Sequence, residues 1–175
     1  FAPEYTGGLR VVDVSDPSLP ESVAFVGLSG NPYAVEAQGG YAYVAARWQG
    51  LIVVDVSDPV DPVEVGSLAT ADAIDVTVVS TTAYVADNFA AALRIIDVSA
   101  PSAPVEIGVW AGRERIPKVA AVPGYAYIGE EDGPFRVLDV DPVSGCPADI
   151  FADGFETGDT SGWSGSVGEA TGLKP

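Results

Sequence analysis

The sequence contains no histidine, no methionine and one cysteine, and only 8 lysines and arginines stand against 25 aspartates and glutamates. Each shortage removes a class of chemistry. Without His there is no imidazole general base, no Ser-His-Asp arrangement and no imidazole metal site. A single Cys, Cys146, forms neither an internal disulfide nor a thiolate cluster; it is free or pairs with a Cys of another segment. A formal charge of −17 lacks the surplus of cations that a phosphate backbone demands, so nucleic acid is not an expected partner. No apolar run approaches the ~18 residues of a membrane span. The most hydrophobic stretch, Gly50 to Val56, is interrupted by Asp55, and no transmembrane segment is expected in this chain. The basic, apolar and small-residue order of a signal peptide is also missing from Phe1 onward. The expectation is a removed leader or a piece of something longer, and the repeat register described next favours the piece.

What is present is a core-forming composition, 47% hydrophobic and 19% charged, organised as a repeat. GLRVVDVSDP at Gly8 to Pro17 returns as GLIVVDVSDP from Gly50, ALRIIDVSAP from Ala92 and PFRVLDVDP from Pro134. Asp13, Asp55, Asp97 and Asp139 follow one another at steps of 42 residues, and Pro20, Pro62 and Pro104 keep the same step. A third marker, YAYVA from Tyr41, TAYVA from Thr82 and YAYIG from Tyr125, drifts by one residue and recovers, as a turn of variable length produces.

Each unit reads as four short strands rich in Val, Ile and Tyr, separated by Gly, Pro, Asp and Ser. In the second unit these are Tyr33 to Ala37, Tyr41 to Ala45, Leu51 to Val56 and Val63 to Leu68. No window holds a helical period, and the two Pro of each SDPxxP segment would break a helix. Four strands and four turns match a propeller blade of roughly 40 to 45 residues. Adjacent Val53 and Val54 point to opposite sides of their strand and both are apolar, so the sheets are expected to be covered on both faces.

The repeated motif, its following Pro and YAYVA together resemble the LVIVD-repeat family of β-propeller proteins, found mostly on bacterial and archaeal surfaces. The resemblance spans about Gly8 to Pro142 and implies a propeller on an exported protein, extracellular or at the cell surface, and little about chemistry. The last copy departs from it, with DVDPVSG in place of DVSDPxxP. Beyond it, IFADGFETGDTSGWS is similar to a short C-terminal element of exported bacterial proteins and to the opening of some jelly-roll modules. The chain ends too soon for a jelly roll, and the segment is read as a tail, with sorting or anchoring as the alternative.

By analogy with other propellers the YAV-type strand is innermost and the strand after SDPxxP outermost. The expected fold is an all-β partial propeller, the C-terminal part of a larger ring. Residues 1–30 supply the outer strands of an incomplete blade, 31–70 and 71–111 two whole blades, 112–142 an incomplete last blade and 143–175 the tail. That is thirteen strands, and with two incomplete terminal blades the chain is expected to self-associate or melt early.

The same placement sorts the loops. Those after the second strand and those between blades differ from unit to unit, and they carry Arg47, Trp48, Asp87, Asn88, Phe89, Trp110, Arg113, Arg115, Glu130, Glu131 and Asp132. The opposite set repeats SDPxxP. Diversified aromatic and charged loops against repeated ones read as a candidate binding face for protein or glycan, or else as unconstrained solvated loops. Glu130, Glu131 and Asp132 lack the alternating spacing of a calcium loop and read as a solvated acidic turn. Asp13, Asp55, Asp97 and Asp139 recur too regularly for one catalytic site and are expected to accept hydrogen bonds in the following turn. Arg10, Arg94 and Arg136, at a position where the second unit has Ile52, are expected to lay their alkyl stems over the blade edge and pair with nearby acids, with anion binding as the alternative. Glu36, Asp75 and Lys118 interrupt the inner strands and are the one place where carboxylate catalysis could sit. The leading expectation is a non-enzymatic binding or scaffold module without cofactor or metal. The alternatives are a carboxylate hydrolase or lyase at the channel mouth and a purely structural spacer.

Overall fold

A computed structural model describes residues 2–4, 7–140 and 148–149, and among them every element is a β-strand. The first sheet holds β1 (Ala2–Glu4), β2 (Gly8–Asp13) and β3 (Glu21–Gly27). The second holds β4 (Ala34–Gln38), β5 (Tyr41–Ala45), β6 (Leu51–Asp55) and β7 (Val63–Leu68). The third comprises β8 (Ala73–Val79), β9 (Thr82–Asp87), β10 (Ala92–Asp97) and β11 (Val105–Ala111). The fourth comprises β12 (Lys118–Val122), β13 (Tyr125–Gly129), β14 (Phe135–Asp139) and β15 (Ala148–Asp149). Within each sheet consecutive strands pair antiparallel, so every sheet is a simple meander.

Two strands exceed the thirteen expected. β1 pairs with β2 through Ala2↔Arg10 to Glu4↔Gly8, and β15 adds a fourth strand to a sheet read as three-stranded. Each is held at a sheet edge by backbone pairing, which needs no side-chain period to form. Cys146 and the part of the tail from residue 150 onward lie outside the described residues.

Register makes the repeat visible in three dimensions. Val11, Val53 and Ile95 face Ala24, Gly66 and Gly108 on their outer strands, and in each sheet the register shifts immediately afterwards. The residue left over is Val23, Val65 or Ile107, one apolar β-branched side chain per bulge, which bends and twists the outer strand. Val53, Ile95 and Val137 also stand opposite Tyr43, Tyr84 and Tyr127, so these positions are equivalent from unit to unit.

The core lies between sheets. Leu9 and Leu28 of the first unit pack with Ala42, Val44, Ile52 and Val54 of the second sheet. The opposite side of that sheet, Tyr43, Ala45, Leu51 and Val53, packs on Val76, Val85, Ile96 and Val98. Tyr84, Leu93 and Ile95 then meet Val119, Ile128 and Leu138 of the fourth. Both faces of the two inner sheets are thus dry, which is why Leu51 to Val54 are all apolar without alternation. Burial of their rings pushes the Tyr43 and Tyr84 phenols above the ordinary tyrosine value. Gly66 is required by this packing: a Cβ there would run into the backbone carbonyl of Pro101 in the next unit's turn.

Candidate loop-edge recognition site

Antiparallel order sends alternate turns to opposite edges of each sheet. At one edge lie the SDP turns. Ser15, Ser57 and Ser99 donate their N–H groups to Asp13, Asp55 and Asp97 at 2.8, 2.9 and 2.8 Å. Donation from the same serines, by the hydroxyl first and the N–H second at Asp55 and by the N–H first and the hydroxyl second at Asp13 and Asp97, holds the three carboxyls below the ordinary aspartate value, as expected of turn-forming acids. Val56 and Val98 donate to the carbonyls of Gly40 and Thr81, tying the turns at Ser57 and Ser99 to the hairpins beside them, and Val140 donates to the Gly124 carbonyl in the same way.

The other edge carries the diversified loops, and each is anchored from beneath. In the β5–β6 loop, Arg47 adopts φ 56° and exchanges two backbone hydrogen bonds with Ala73, stitching the second sheet to the third. Its Nε lies 3.0 Å from Oδ1 of the buried Asp72, and its guanidinium sits 5.4 Å from the Tyr33 ring centroid. Gly50 closes the loop at φ 79°, where a Cβ would strike the Leu68 carbonyl. Trp48, at the tip, is 62% exposed.

The β9–β10 loop is built on Asp87, whose side chain is fully buried. It accepts from the N–H groups of Ala71, Asp72 and Ala90 at 3.0, 2.9 and 3.3 Å, and from Arg94 Nε at 2.6 Å. Arg94 reaches on to Glu106 at 2.7 Å. Its partial burial opposes the charge, but hydrogen bonds to Glu106 and Asp87 prevail and hold Arg94 above its ordinary value. Asn88 donates its backbone N–H to the Asp72 carbonyl and its amide to Asp72 Oδ2. Phe89, at the tip, is 71% exposed and occupies the loop position of Trp48.

In the β13–β14 loop the buried Glu130 accepts from the Arg113 N–H and from Arg136 Nε, both at 2.9 Å. Burial opposes its ionisation, yet donation from Arg113 and Arg136 prevails and lowers Glu130 below the ordinary glutamate value. Arg136 lies 5.7 Å from the ring of Trp110, a partly buried residue of the core between the third and fourth sheets. Glu131 turns toward Arg115 instead, 3.7 Å away with both side chains more than half exposed, and Asp132 is exposed. The neighbouring acids therefore diverge, and among the described residues no three metal-ligating side chains converge.

The eleven candidate residues all fall at this edge and divide into two sorts. Asp87 and Glu130 are buried acceptors that hold the loops, Arg47 and Asn88 are engaged by Asp72, and Trp110 packs inward. Trp48, Phe89, Arg113, Arg115, Glu131 and Asp132 face solvent. The expected pairing of Arg94 and Arg136 with acids is present, and the acids are Asp87 and Glu130 themselves. Where the second unit has Ile52, it also has Ala46 in place of the acid, both buried. Backbone register sets Glu4 opposite Gly8 as Asp87 is opposite Ala92, so Glu4 with Arg10 occupies the same pair of positions.

Inside the sheet stack, Asp75 accepts from the Val119 N–H at 3.0 Å and from Lys118 Nζ at 3.3 Å. Both its oxygens clamp the third sheet to the fourth. Asp72, which positions Arg47 and Asn88, belongs to a connector without repeat signature and so carries no signal in the sequence.

Four-stranded antiparallel meanders, stacked face to face at a 42-residue step, are the blades of a β-propeller, and the described residues form part of one. The chain belongs to the LVIVD repeat family, whose repeat matches residues 5–26, 29–70, 71–111 and 117–145. No curated protein matches it.

Proposed function

We propose that this propeller is a non-enzymatic recognition module, exported and displayed at a cell surface, which binds an anionic glycan or an acidic peptide through its loop edge. The observation that carries this reading is the pair Trp48 and Phe89. Two large apolar side chains stand exposed at equivalent loop tips of consecutive blades, on loops locked from below by buried hydrogen bonds. Rigid, exposed aromatic groups are what a binding surface needs, because little conformational entropy is lost when a ligand stacks on them. Arg113, exposed at the same edge, adds a cation to a chain of net −17, and Arg115 beside it is offset by Glu131.

The test is retention on immobilised anionic glycans and envelope preparations. Trp48→Ala combined with Arg113→Ala should abolish retention while leaving the melting temperature unchanged. Retention by the double variant would remove the recognition reading in favour of a structural spacer.

A further inference from the structure

Asp72 stands between two loop tips and holds both. The pairs Ala45↔Leu51 and Ala86↔Leu93 set the β5–β6 and β9–β10 loops in the same register, so Arg47 and Trp48 occupy the positions of Asn88 and Phe89. Arg47 meets one oxygen of the buried Asp72 and the Asn88 amide meets the other, so a single carboxylate holds a polar residue and its aromatic neighbour in each of two consecutive blades. The Arg47–Ala73 bridge stitches the two sheets at the same point and fixes one loop against the other.

Both polar groups keep hydrogen-bonding capacity in reserve. Arg47 Nε lies 3.0 Å from Asp72 Oδ1, yet that oxygen accepts no hydrogen bond, and no N–H of the Arg47 side chain donates to a described residue. Arg94 and Arg136, at the same edge, donate to Asp87 and Glu130 at 2.6 and 2.9 Å. Arg47 is instead held by charge and by the Tyr33 ring, and it presents partly exposed donors whose charge Asp72 offsets. Asn88 does the converse. The Asp72 carboxylate can only accept, so Asn88 turns Nδ2 toward it, and Asn88 Oδ1 is left without a donor among the described residues. Free donors and a free acceptor, balanced in charge and flanked by two exposed aromatic rings, therefore lie across the second and third units.

We infer that these two loop tips bind an uncharged sugar unit, whose hydroxyls accept from Arg47 and donate to Asn88 Oδ1 while its C–H faces lie on Trp48 and Phe89. A hydroxyl donates and accepts at once, which suits this mixed array. A carboxylate only accepts: it would use Arg47, meet Asn88 Oδ1 as a second acceptor, and gain little from a guanidinium already offset by Asp72. An acidic peptide has the same defect and offers the rings no flat apolar face, whereas a pyranose ring has one. The inference rests on the recognition reading and takes the glycan side of it, leaving the acidic units of such a glycan to the exposed Arg113.

Arrays of immobilised oligosaccharides test the inference, with neutral hexose and N-acetylhexosamine chains set beside uronate-bearing chains and poly-glutamate. Neutral chains should bind, with an affinity that changes less than about twofold between about 0.05 and about 0.5 M NaCl, because no net charge is engaged. Arg47→Lys keeps the positive charge beside Asp72 but removes the fork of donors, and Phe89→Ala removes one ring at an exposed tip. Each should weaken binding of neutral chains by at least about tenfold, with the melting temperature checked as unchanged. Leu19→Ala, exposed at the opposite edge, should bind as the parent does. Binding of uronate chains or poly-glutamate without neutral chains overturns the inference and leaves the recognition reading standing. Binding of neutral chains that survives either Arg47→Lys or Phe89→Ala overturns it as well. Retention on no probe at all removes both.

Discussion

The second and third units close the same loop by opposite chemistry. Beneath the β5–β6 loop lie Ala46 and Ile52, both fully buried; beneath the β9–β10 loop the same positions hold Asp87 and Arg94, 2.6 Å apart. Strand pairing around them is alike, so backbone geometry does not choose between the solutions. An apolar pair is stabilised by desolvation alone and tolerates imperfect direction. The ionic pair suffers a desolvation penalty, and it is viable because Asp87 also collects three backbone N–H groups. The acid and the arginine are thus a unit: either both are present or both are replaced by carbon.

The largest effect expected from breaking this unit comes from Asp87→Ala. It strips three N–H groups of their acceptor and leaves Arg94 with Glu106 alone, and should cost about 3–5 kcal/mol by urea denaturation. A loss below about 1 kcal/mol would mean that the pair is ornamental. A smaller effect is expected when Arg94→Ile is added to Asp87→Ala, copying the second unit. The double variant should recover at least about half of the single variant's loss, since the only charge then left without its partner is Glu106, which is 35% exposed and reaches water. Additive or worse behaviour would show that Asp87 acts mainly through the backbone groups and not through Arg94.

The smallest effect concerns pH. Glu130 is depressed in the folded state, so its contribution is fully present above the unfolded glutamate value near about 4.3 and fades as pH falls through that value toward the lower folded one. Asp13, Asp55 and Asp97, also depressed, fade in the same direction at somewhat lower pH. Thermal stability should decline between about pH 5 and pH 3, and Glu130→Gln should flatten the upper part of that decline while lowering stability at pH 7. A profile that rises on acidification would contradict the buried-acceptor role of Glu130.

Much of the architecture was legible along the chain because strands of five to seven residues write their period and punctuation into every repeat. The predicted Tyr41 to Ala45 and Val63 to Leu68 coincide with β5 and β7, and β4 begins one residue later than expected. β1 and β15 escaped because three and two residues hold no period, and Pro3 argues against a strand unless it lies at an edge. At the loop edge, exposure of Trp48 and Phe89 follows the reading of diversified tips, but Asp87 and Glu130 looked like surface acids beside them. A signal for their role does exist in the sequence: acid and arginine six or seven residues apart occur in the third and fourth units and vanish together from the second.

By itself, then, the sequence determined the all-β blade, its 42-residue step, the aspartate-capped SDP turns and the two-sided apolar strands, because each depends on neighbours within one hairpin or turn. Three-dimensional packing decides which acids are buried, and that Asp72 and Asp75 tie elements together across unit boundaries. Burial and charge pairing arise where segments far apart in the chain meet, and the free energy of a carboxylate depends on whether that meeting supplies donors or water.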